Sequence, residues 1–343
     1  MSHTLDIQNG VVEMSHGSGG RASHTLIREL FASHLDNPYL RQNNDNARFD
    51  APPGSLVMSV DSHVVSPIFF PGGDLGALAV HGTLNDVAMS GAVPLHLTAG
   101  FILEEGYPLA DLERIVMSMA RAAKDAGVEI IAGDTKVVER GHGDGVFITT
   151  TGIGVIPPGS ARISGDAAQP GDAILISGSM GDHGAAIMLA RESMDFDHAI
   201  QSDSAALHDL IAHMLRIVPN IHCLRDPTRG GLATTLNELA EQSNVGMVIE
   251  ESAIPIQPQV AAVCELLGLD PLTLANEGKL IAICPPDQAQ TLLKAMRAHP
   301  LGENAAIIGE VTEADAGMVQ LVTGFGGRRI LDWLAGTPLP RIC

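Results

Sequence analysis

The apolar run LVMSV at residues 56–60, the segment DLGALAVHGTLNDVAMS at residues 74–90 and the run LHLTAGFIL at residues 95–103 decide the fold. The first and third are short and apolar, as expected of β-strands, whereas the second has the length and composition of a helix. The alternation continues to Ile156 through a further helix and the runs VEIIAG and GVFITTTGIGVI. This pattern predicts an α/β domain that ends near residues 157–158.

A second alternating block follows and predicts another α/β domain. Its predicted strands cover residues 173–177, 246–250, 279–284 and 305–311, and its predicted helices cover residues 185–191, 205–216, 232–241, 259–267 and 287–299. We expect an α/β (α+β) fold with domains at residues 1–157 and 158–312 and a C-terminal segment at residues 313–343. Because Pro338 and Pro340 lack a backbone donor, the ending TPLPRIC is expected to be an extended, flexible tail.

The composition narrows the class of partner. The chain has 343 residues, of which 45% are hydrophobic, and a formal net charge of −20. This charge repels phosphate backbones and anionic lipids, so we expect neither nucleic acid nor a membrane as partner. A nucleotide can still bind where a divalent cation lies between carboxylates and phosphates. Residues 1–10 lack a signal-peptide pattern, and no apolar run approaches the roughly 20 residues that span a bilayer, which favours the cytoplasm.

Several aspartates lie where predicted strands end or helices begin. Asp61 follows LVMSV, Asp86 lies in TLNDVAMSGA, and Asp134 follows VEIIAG. A single Asp in such a place more often caps a turn, but three together favour Mg²⁺ bound with nucleotide phosphates. In the second domain, DPTRGGLA runs from a strand through Gly-Gly into a helix. This segment suits anion or metal binding by Asp226 and Thr228, or it is only a tight connection.

Three further segments could act on a phosphate or a proton. The loop HGSGGR, residues 16–21, places glycines before a helix-like segment, so it either binds phosphate or forms a flexible turn; it is not a Walker A loop. Lys136 lies two residues after Asp134, and both side chains should project to one face of a strand. Lys136 then either neutralises phosphate charge or forms a surface ion pair. Glu277 in NEGK is placed as a general acid or base, although a single Glu in a turn is usually solvated.

The cysteines divide into two kinds. Cys223, Cys264 and Cys284 lie in apolar stretches and are expected to be buried and structural. Cys343 follows a Pro-stiffened segment, so its thiol can visit a site elsewhere and carry a covalent intermediate. Prenylation needs three residues after the cysteine, which excludes that interpretation of Cys343. The segment SGSMGDHG, residues 177–184, lacks the spacing of a dinucleotide fingerprint, so NAD is not expected.

Together HGSGG, TLNDVAMSGA, GDTKVV, DPTRGG, NEGK and the ending PRIC resemble the HypE family of hydrogenase maturation proteins, the carbamoyl dehydratases. The resemblance covers residues 16–343 and extends to the superfamily of aminoimidazole ribonucleotide synthetase, selenophosphate synthetase and thiamine-monophosphate kinase. It implies two domains of the aminoimidazole ribonucleotide synthetase type, a homodimer formed through N-terminal-domain strands, and ATP bound with Mg²⁺. By matched positions it assigns Mg²⁺ to Asp61, Asp86, Asp134 and Asp226, ATP to His16, Gly17, Ser18, Gly19, Gly20, Asn85, Thr228 and Gly230, and the reacting group to Lys136, Glu277 and Cys343.

The reaction that this resemblance implies is an ATP-dependent dehydration. A HypF-type carbamoyltransferase loads a carbamoyl group onto the sulfur of Cys343, and ATP then converts the group's oxygen into phosphate, which leaves a thiocyanate. The cyano group passes to iron for NiFe-hydrogenase, with the HypC–HypD complex as iron scaffold. Two alternatives stay open. A selenophosphate-synthetase-like kinase would need a reactive Cys in the N-terminal Gly-rich loop, which has none, and a non-catalytic carrier would hold its ligand on Cys343 without ATP turnover.

Overall fold

The computed structural model describes residues 4–192, 200–334 and 341–342. Most of the tail, including Cys343, therefore lies outside the described residues, and its predicted extended form stays a prediction. The strands of the first domain are β1 (Ser55–His63), β2 (Phe69–Phe70), β3 (Gly73–Asp74), β4 (Val93–Glu104), β5 (Glu129–Val138) and β6 (Val146–Ile156). Its helices are α1 (Arg21–Leu26), which continues through a π-helical turn (Ile27–Phe31) into α2 (Ala32–Leu35), then α3 (Leu75–Ala88) and α4 (Leu109–Asp125).

The first domain is a four-stranded sheet with helices on one face. Its strand order is β1-β6-β4-β5, parallel between β4 and β5 and otherwise antiparallel. Helix α3 begins at Asp74, whose carboxylate accepts hydrogen bonds from the N–H groups of Gly76 and Ala77, as expected of an N-cap. The apolar side chains of α3 and α4 pack into a continuous core with the covered face of the sheet.

The opposite face of this sheet is uncovered and apolar. Along β1 the side chains of Leu56, Met58 and Val60 are 58%, 67% and 65% exposed, and Val93 and Ile102 of β4 are exposed on the same face. A soluble domain rarely leaves such a row of large apolar side chains in contact with water without a partner. The open face is therefore a candidate interface.

The second domain is a sheet between two layers of helices. Its strands are β7 (Ala173–Ile176), β8 (Cys223–Arg225), β9 (Gly246–Glu250), β10 (Ile281–Cys284), β11 (Ala306–Thr312), β12 (Val319–Val322) and β13 (Arg328–Ile330), and its helices are α5 (Asp182–Glu192), α6 (His208–Ile217), α7 (Gly231–Ser243), α8 (Pro258–Leu267) and α9 (Ala289–Arg297). The strand order is β13-β12-β9-β11-β7-β10-β8. Alternate strand residues pack against α7 on one face and against α6 and α9 on the other.

These elements confirm the predicted α/β class, and the order of helices and strands follows the sequence pattern. Two local predictions were wrong: Asp61 and Asp134 lie inside β1 and β5, not after them. Strands β12 and β13 lie within residues 313–343 and pair with the second sheet, while the domain limits themselves stay a prediction. No helix among the described residues has the length and apolar character needed to cross a bilayer.

Gly76 sets the distance between α3 and α4, which gives a test of the packing. A Cβ at this position would lie 2.1 Å from the backbone oxygen of Ile115 in α4. Gly76→Ala should therefore destabilise the protein by about 1–3 kcal/mol, although alanine is intrinsically the better helix former by about 1 kcal/mol. Urea unfolding followed by circular dichroism measures this. Gly324→Ala is the control, because a Cβ there meets no atom within 4 Å. Equal midpoints for the two variants would contradict the packing.

Candidate active site

A cleft of about 570 Å³ lies between the two domains. Ser59 of β1 and Asp86 of α3 line it from the first domain, and Asp226 and Thr228 line it from the second. The volume is within the usual range for small-molecule sites. Asp226 and Thr228 belong to the connection between β8 and α7, so the predicted strand-to-helix loop is confirmed.

Three of the predicted metal-binding aspartates share this cleft region. Desolvation raises the pKa of Asp61, Asp86 and Asp226. The pKa of Asp226 rises to about 7 because its side chain is buried and because Asp86, and to a lesser degree Asp61, place negative charge nearby. The Ser59 hydroxyl donates to Asp86 at 2.8 Å, and the Arg229 guanidinium lies 3.4 Å from Asp61.

These carboxylates fit a divalent cation held together with phosphates. Burial disfavours the ionised form of each of these carboxyl groups, and a bound cation would lower all three pKa values because it favours the ionised form. Among the described residues, no three His, Cys, Asp or Glu side chains form a group that could hold a metal ion by themselves. Mg²⁺ usually takes only one or two protein carboxylates and completes its shell with phosphate oxygens and water. The arrangement therefore suits Mg²⁺ that arrives with a nucleotide.

Asp134 and Lys136 lie elsewhere. They form an exposed ion pair on β5, with Lys136 Nζ 2.6 Å from Asp134 Oδ2, and the Lys136 hydrogen bond lowers the pKa of Asp134. Across the sheet, Asp61 of β1 is in register with Gly133 of β5, so these two residues point to the same face. Successive residues of a strand point to opposite faces, so Asp134 lies on the other, open face. Three strand spacings separate β1 from β5, or about 14 Å. Within one chain the pair is thus apart from the cleft.

The glycine loop, residues 16–20, also lies at β5 and not in the cleft. His16 is buried and accepts a hydrogen bond from the N–H of Glu13, and Gly17 packs directly against Val137 of β5. Gly19 has a positive φ of 78°, and its N–H donates to the hydroxyl of Ser23 in α1. Ser18 and Gly20 complete the turn into α1. The loop packs against Val137, the neighbour of Lys136 in the chain, and the predicted contact with phosphates stays a prediction.

Asn85 and Glu277 meet at the domain junction. The Asn85 amide donates to the backbone oxygens of Ala205 and Glu277 and accepts from the N–H of Leu207. These bonds bridge α3 to the second domain, so the structure shows a structural role for Asn85, while the predicted contact with ATP stays a prediction. Glu277 is buried, which contradicts the alternative of a solvated turn residue. The Asp203 carboxylate accepts a hydrogen bond from the backbone N–H of Glu277.

The predicted Gly-Gly turn has a steric basis. Gly230 and Gly231 both have positive φ values, of 78° and 61°. A Cβ on Gly231 would lie 2.4 Å from the backbone oxygen of Leu274. Only glycine fits there, so the turn fixes where Asp226 and Thr228 enter the cleft.

The described residues of the tail, Arg341 and Ile342, are docked on the protein body. Ile342 forms an isolated antiparallel bridge with Val65, and its side chain is 6% exposed within the first-domain core. The backbone oxygen of Arg341 accepts from the N–H of Ser66. Since residue 341 lies opposite residue 66 and residue 342 opposite residue 65, the chain runs back toward β1, which carries Asp61.

Comparison with known proteins decides the family. Residues 43–156 match the N-terminal domain of the AIR synthase related proteins, and residues 169–322 match their C-terminal domain. The carbamoyl dehydratase HypE of Azotobacter vinelandii is 65% identical over 339 residues, 99% of each chain. The chain belongs to the HypE family of carbamoyl dehydratases. The resemblance seen in the sequence motifs is confirmed.

Solved structures of the HypE family agree with the fold. A crystal structure of the hydrogenase maturation protein HypE in complex with ATP superposes with a TM-score of 0.93 at 54% identity, covering 96% of this chain and 99% of that one. A HypE chain from a HypE–HypF complex has a TM-score of 0.79 at 49% identity, covering 90% and 99%. Both predicted domains therefore have the architecture of this family.

Sequence reasoning missed several residues that contact the predicted site residues, their neighbours or the tail. Arg229 stands inside the motif DPTRGG, beside the predicted Asp226, and its charge partner Asp61 could not be known before folding. Lys279 closes NEGK and pairs with Asp203 at 3.2 Å. His183 lies in SGSMGDHG, a segment whose spacing excluded dinucleotide binding but which contacts the tail.

The pKa of Asp226 predicts the pH dependence of stability in this HypE-family protein. A folded pKa near 7, above the ordinary value of 3.8, gives stability that is complete below about pH 4 and lost as the pH rises through 7. Asp226→Asn removes the ionisation, so its stability advantage over the parent should grow by roughly 2 kcal/mol between pH 5 and pH 8.

Urea unfolding at both pH values, without divalent cations, measures this difference. Asp134→Asn is the control, because Asp134 is exposed and its pKa is lowered. The control should lose a little stability at neutral pH and show no such growth. An advantage of Asp226→Asn that stays constant from pH 5 to pH 8 would contradict the burial of this carboxyl group.

Proposed function

We propose that this protein dehydrates a carbamoyl group carried on Cys343 to a thiocyanate with ATP, and so supplies cyanide ligands for the iron of NiFe-hydrogenase. The family supports the overall role, and the docked tail carries the specific proposal. Ile342, next to Cys343, is buried beside Val65 with its chain directed toward β1. Val65 is four positions after Asp61, which bounds their Cα distance at about 14 Å. The proposal takes this direction of the chain at Arg341 and Ile342 as the route by which the tail approaches the carboxylates.

The thiocarbamate oxygen takes the γ-phosphoryl group of ATP, which releases ADP and turns a poor leaving group into phosphate. The C–O bond then breaks, the two N–H protons leave, and the carbon forms a triple bond to nitrogen. The products are S-cyanocysteine at position 343, ADP and phosphate. The sulfur stays bonded to the chain throughout, so the tail must remain in the cleft for both stages.

Each predicted site residue has a separate role in this proposed reaction. Asp61, Asp86 and Asp226 would hold Mg²⁺, which neutralises phosphate charge when bound. Lys136 offsets charge on the transferring phosphoryl group, and Glu277 accepts an N–H proton from the carbamoyl nitrogen. Glu277 is buried, so bulk water does not compete with the carbamoyl nitrogen for its carboxylate.

A homodimer would bring Lys136 of one protomer toward the cleft carboxylates of its partner. The open face carries both the exposed apolar row of Leu56, Met58 and Val60 and the ion pair of Asp134 with Lys136. Two such faces packed around a two-fold axis along the strands would set β5 of one protomer against β1 of its partner. Because β1 is an edge strand with Asp61 on its other face, Lys136 would then lie at the edge of the partner's cleft, closer to the partner's carboxylates than to those of its own chain.

Two partners complete the proposal. A HypF-type carbamoyltransferase loads Cys343, in keeping with the known complex of HypE with HypF. A HypC–HypD scaffold receives the cyano group on its iron. Both partners must reach the sulfur from outside, so the docked tail must also leave the cleft.

Mass spectrometry of the C-terminal peptide tests the proposed dehydration on Cys343. The protein is loaded by the carbamoyltransferase, freed of nucleotide and given Mg²⁺ with ATP, and the peptide that ends in Cys343 is weighed. The carbamoyl adduct should lose the mass of one water only with ATP, because the departing oxygen must first become phosphate. Cys343→Ala is the control and should carry no adduct. An adduct that persists with ATP would instead identify a carrier.

Mixed dimers test whether each site is shared. Asp226→Asn and Lys136→Met are each expected to reduce dehydration at least tenfold, which corresponds to about 1.4 kcal/mol of lost transition-state stabilisation. In a heterodimer of the two variants, a shared-site arrangement creates one doubly defective site and one intact site. Activity should therefore return to about half that of the parent. If both groups act within one chain, the heterodimer stays as inactive as its parents. Each variant mixed with itself is the control.

A further inference from the structure

His183 of α5 connects the tail to the centre of the protein. Its Nε2 lies 2.6 Å from the backbone oxygen of Ile342, and its Nδ1 lies 2.8 Å from the hydroxyl of Ser202. The residue is fully buried, and its ring meets the ring of Phe70 edge-on at 5.6 Å. The last backbone carbonyl before Cys343 is therefore held by a side chain that water does not reach.

The partners fix where the protons are. A carbonyl oxygen only accepts, so the proton in this contact is on Nε2 of His183. Burial lowers the pKa of His183, so the ring is neutral and Nδ1 accepts from the Ser202 hydroxyl. The same hydroxyl accepts from the N–H of Ser204 at 3.1 Å, which orients it. The hydrogen bonds therefore run in one direction, from the Ser204 N–H and the Ser202 hydroxyl to His183 and from His183 to the Ile342 carbonyl.

The chain of bonds continues to the junction of the two domains, where Asn85 bonds the backbone of Glu277. Ser202 and Ser204 flank Asp203, whose carboxylate accepts from the N–H of Glu277. The hydroxyl of Ser204 contacts Nδ1 of His81 in α3 at 3.0 Å. The position of the tail is thus tied to the segment that carries Glu277 and to the helix that carries Asp86.

We propose that His183 is a positioning residue that holds the backbone of Ile342, and with it Cys343, in the cleft during dehydration, with Ser202 fixing the orientation of its ring. The catalytic part of this inference rests on the proposed function, whereas the holding of the tail does not. When the tail leaves for loading, the Ile342 carbonyl exchanges His183 for water. The imidazole therefore favours the docked state and sets the balance between dehydration and loading.

Other tail contacts lie nearer the surface. The Arg191 guanidinium donates to the backbone oxygens of Ser66 and Arg341, and the Arg341 side chain pairs with Asp144. Arg341 and Asp144 are about half exposed, so water and salt weaken their pairing. The interior bond to His183 has no such competitor.

The reactivity of Cys343 reports the position of the tail without ATP or any partner. The full-length protein is treated with iodoacetamide under native conditions, and alkylation of each cysteine is followed by peptide mass. His183→Phe keeps an aromatic ring without a donor and should raise the rate at Cys343 about five- to tenfold, as expected for one buried hydrogen bond. His183→Gln, which restores an N–H donor, should recover part of the protection.

The buried cysteines Cys223, Cys264 and Cys284 are internal controls, because they react only if the fold opens. If His183→Phe exposes them, Ser202→Ala, which removes one hydroxyl, decides the question. Its matched control is Ser243→Ala, whose hydroxyl bonds the backbone of Gly165 and Ala168 away from the tail. Unchanged alkylation of Cys343 in a folded variant overturns the proposal.

The same variants are then loaded and given Mg²⁺ with ATP. Loading of Cys343 should be as fast as in the parent or faster, and loss of water should slow about five- to tenfold. A slowing of both steps would indicate a general structural defect and overturn the positioning role. If the parent itself loses no water, the proposed dehydration fails, while the alkylation result still decides whether His183 holds the tail.

Discussion

The hydrogen bonds of the Asn85 amide are the interaction on which the cleft depends. Both N–H groups and the oxygen of this fully buried amide bind backbone atoms of the second domain. Asp86, the next residue of α3, lines the cleft opposite Asp226. The distance between these two carboxylates is therefore set by the bonds of their neighbour. Each buried polar group left unsatisfied costs about 1–3 kcal/mol, so the domains resist a rotation that would separate the aspartates.

Holding Asp61, Asp86 and Asp226 near one another opposes folding, and the protein offsets this only in part. Ser59 donates to Asp86, Arg229 lies beside Asp61, and the pKa of Asp226, raised to about 7, leaves this carboxyl group partly protonated near neutral pH. A proton is a weaker neutralising charge than a divalent cation. Binding of Mg²⁺ with nucleotide would displace that proton and relieve the repulsion. Relief of this repulsion would therefore favour binding of Mg²⁺ with nucleotide to this site.

Local pattern was enough to predict the fold, because each helix and strand carries its own apolar period. It also singled out Asp61, Asp86 and Asp226, which the structure brings near one another, although their predicted role as metal ligands stays a prediction. It failed to separate Asp134 and Lys136 from them, because strand order and facing are set by long-range pairing that sequence spacing does not encode. Asn85 and His183 bind backbone atoms of distant segments, and a backbone partner leaves no sequence signature.

The strength of tail docking has to be intermediate for this chemistry. Burying Ile342 contributes about 2 kcal/mol, and the bonds at Arg341 and Ile342 add about 1 kcal/mol each. Ordering the backbone removes about 1–2 kcal/mol per residue fixed, so the contacts leave only a small net preference. A much tighter dock would hide the sulfur from the enzyme that loads it, and a much weaker one would leave the carbamoyl group in water. Placing the bond to His183 in the interior, and the ion pair of Arg341 at the surface, lets the tail be positioned accurately without being held permanently.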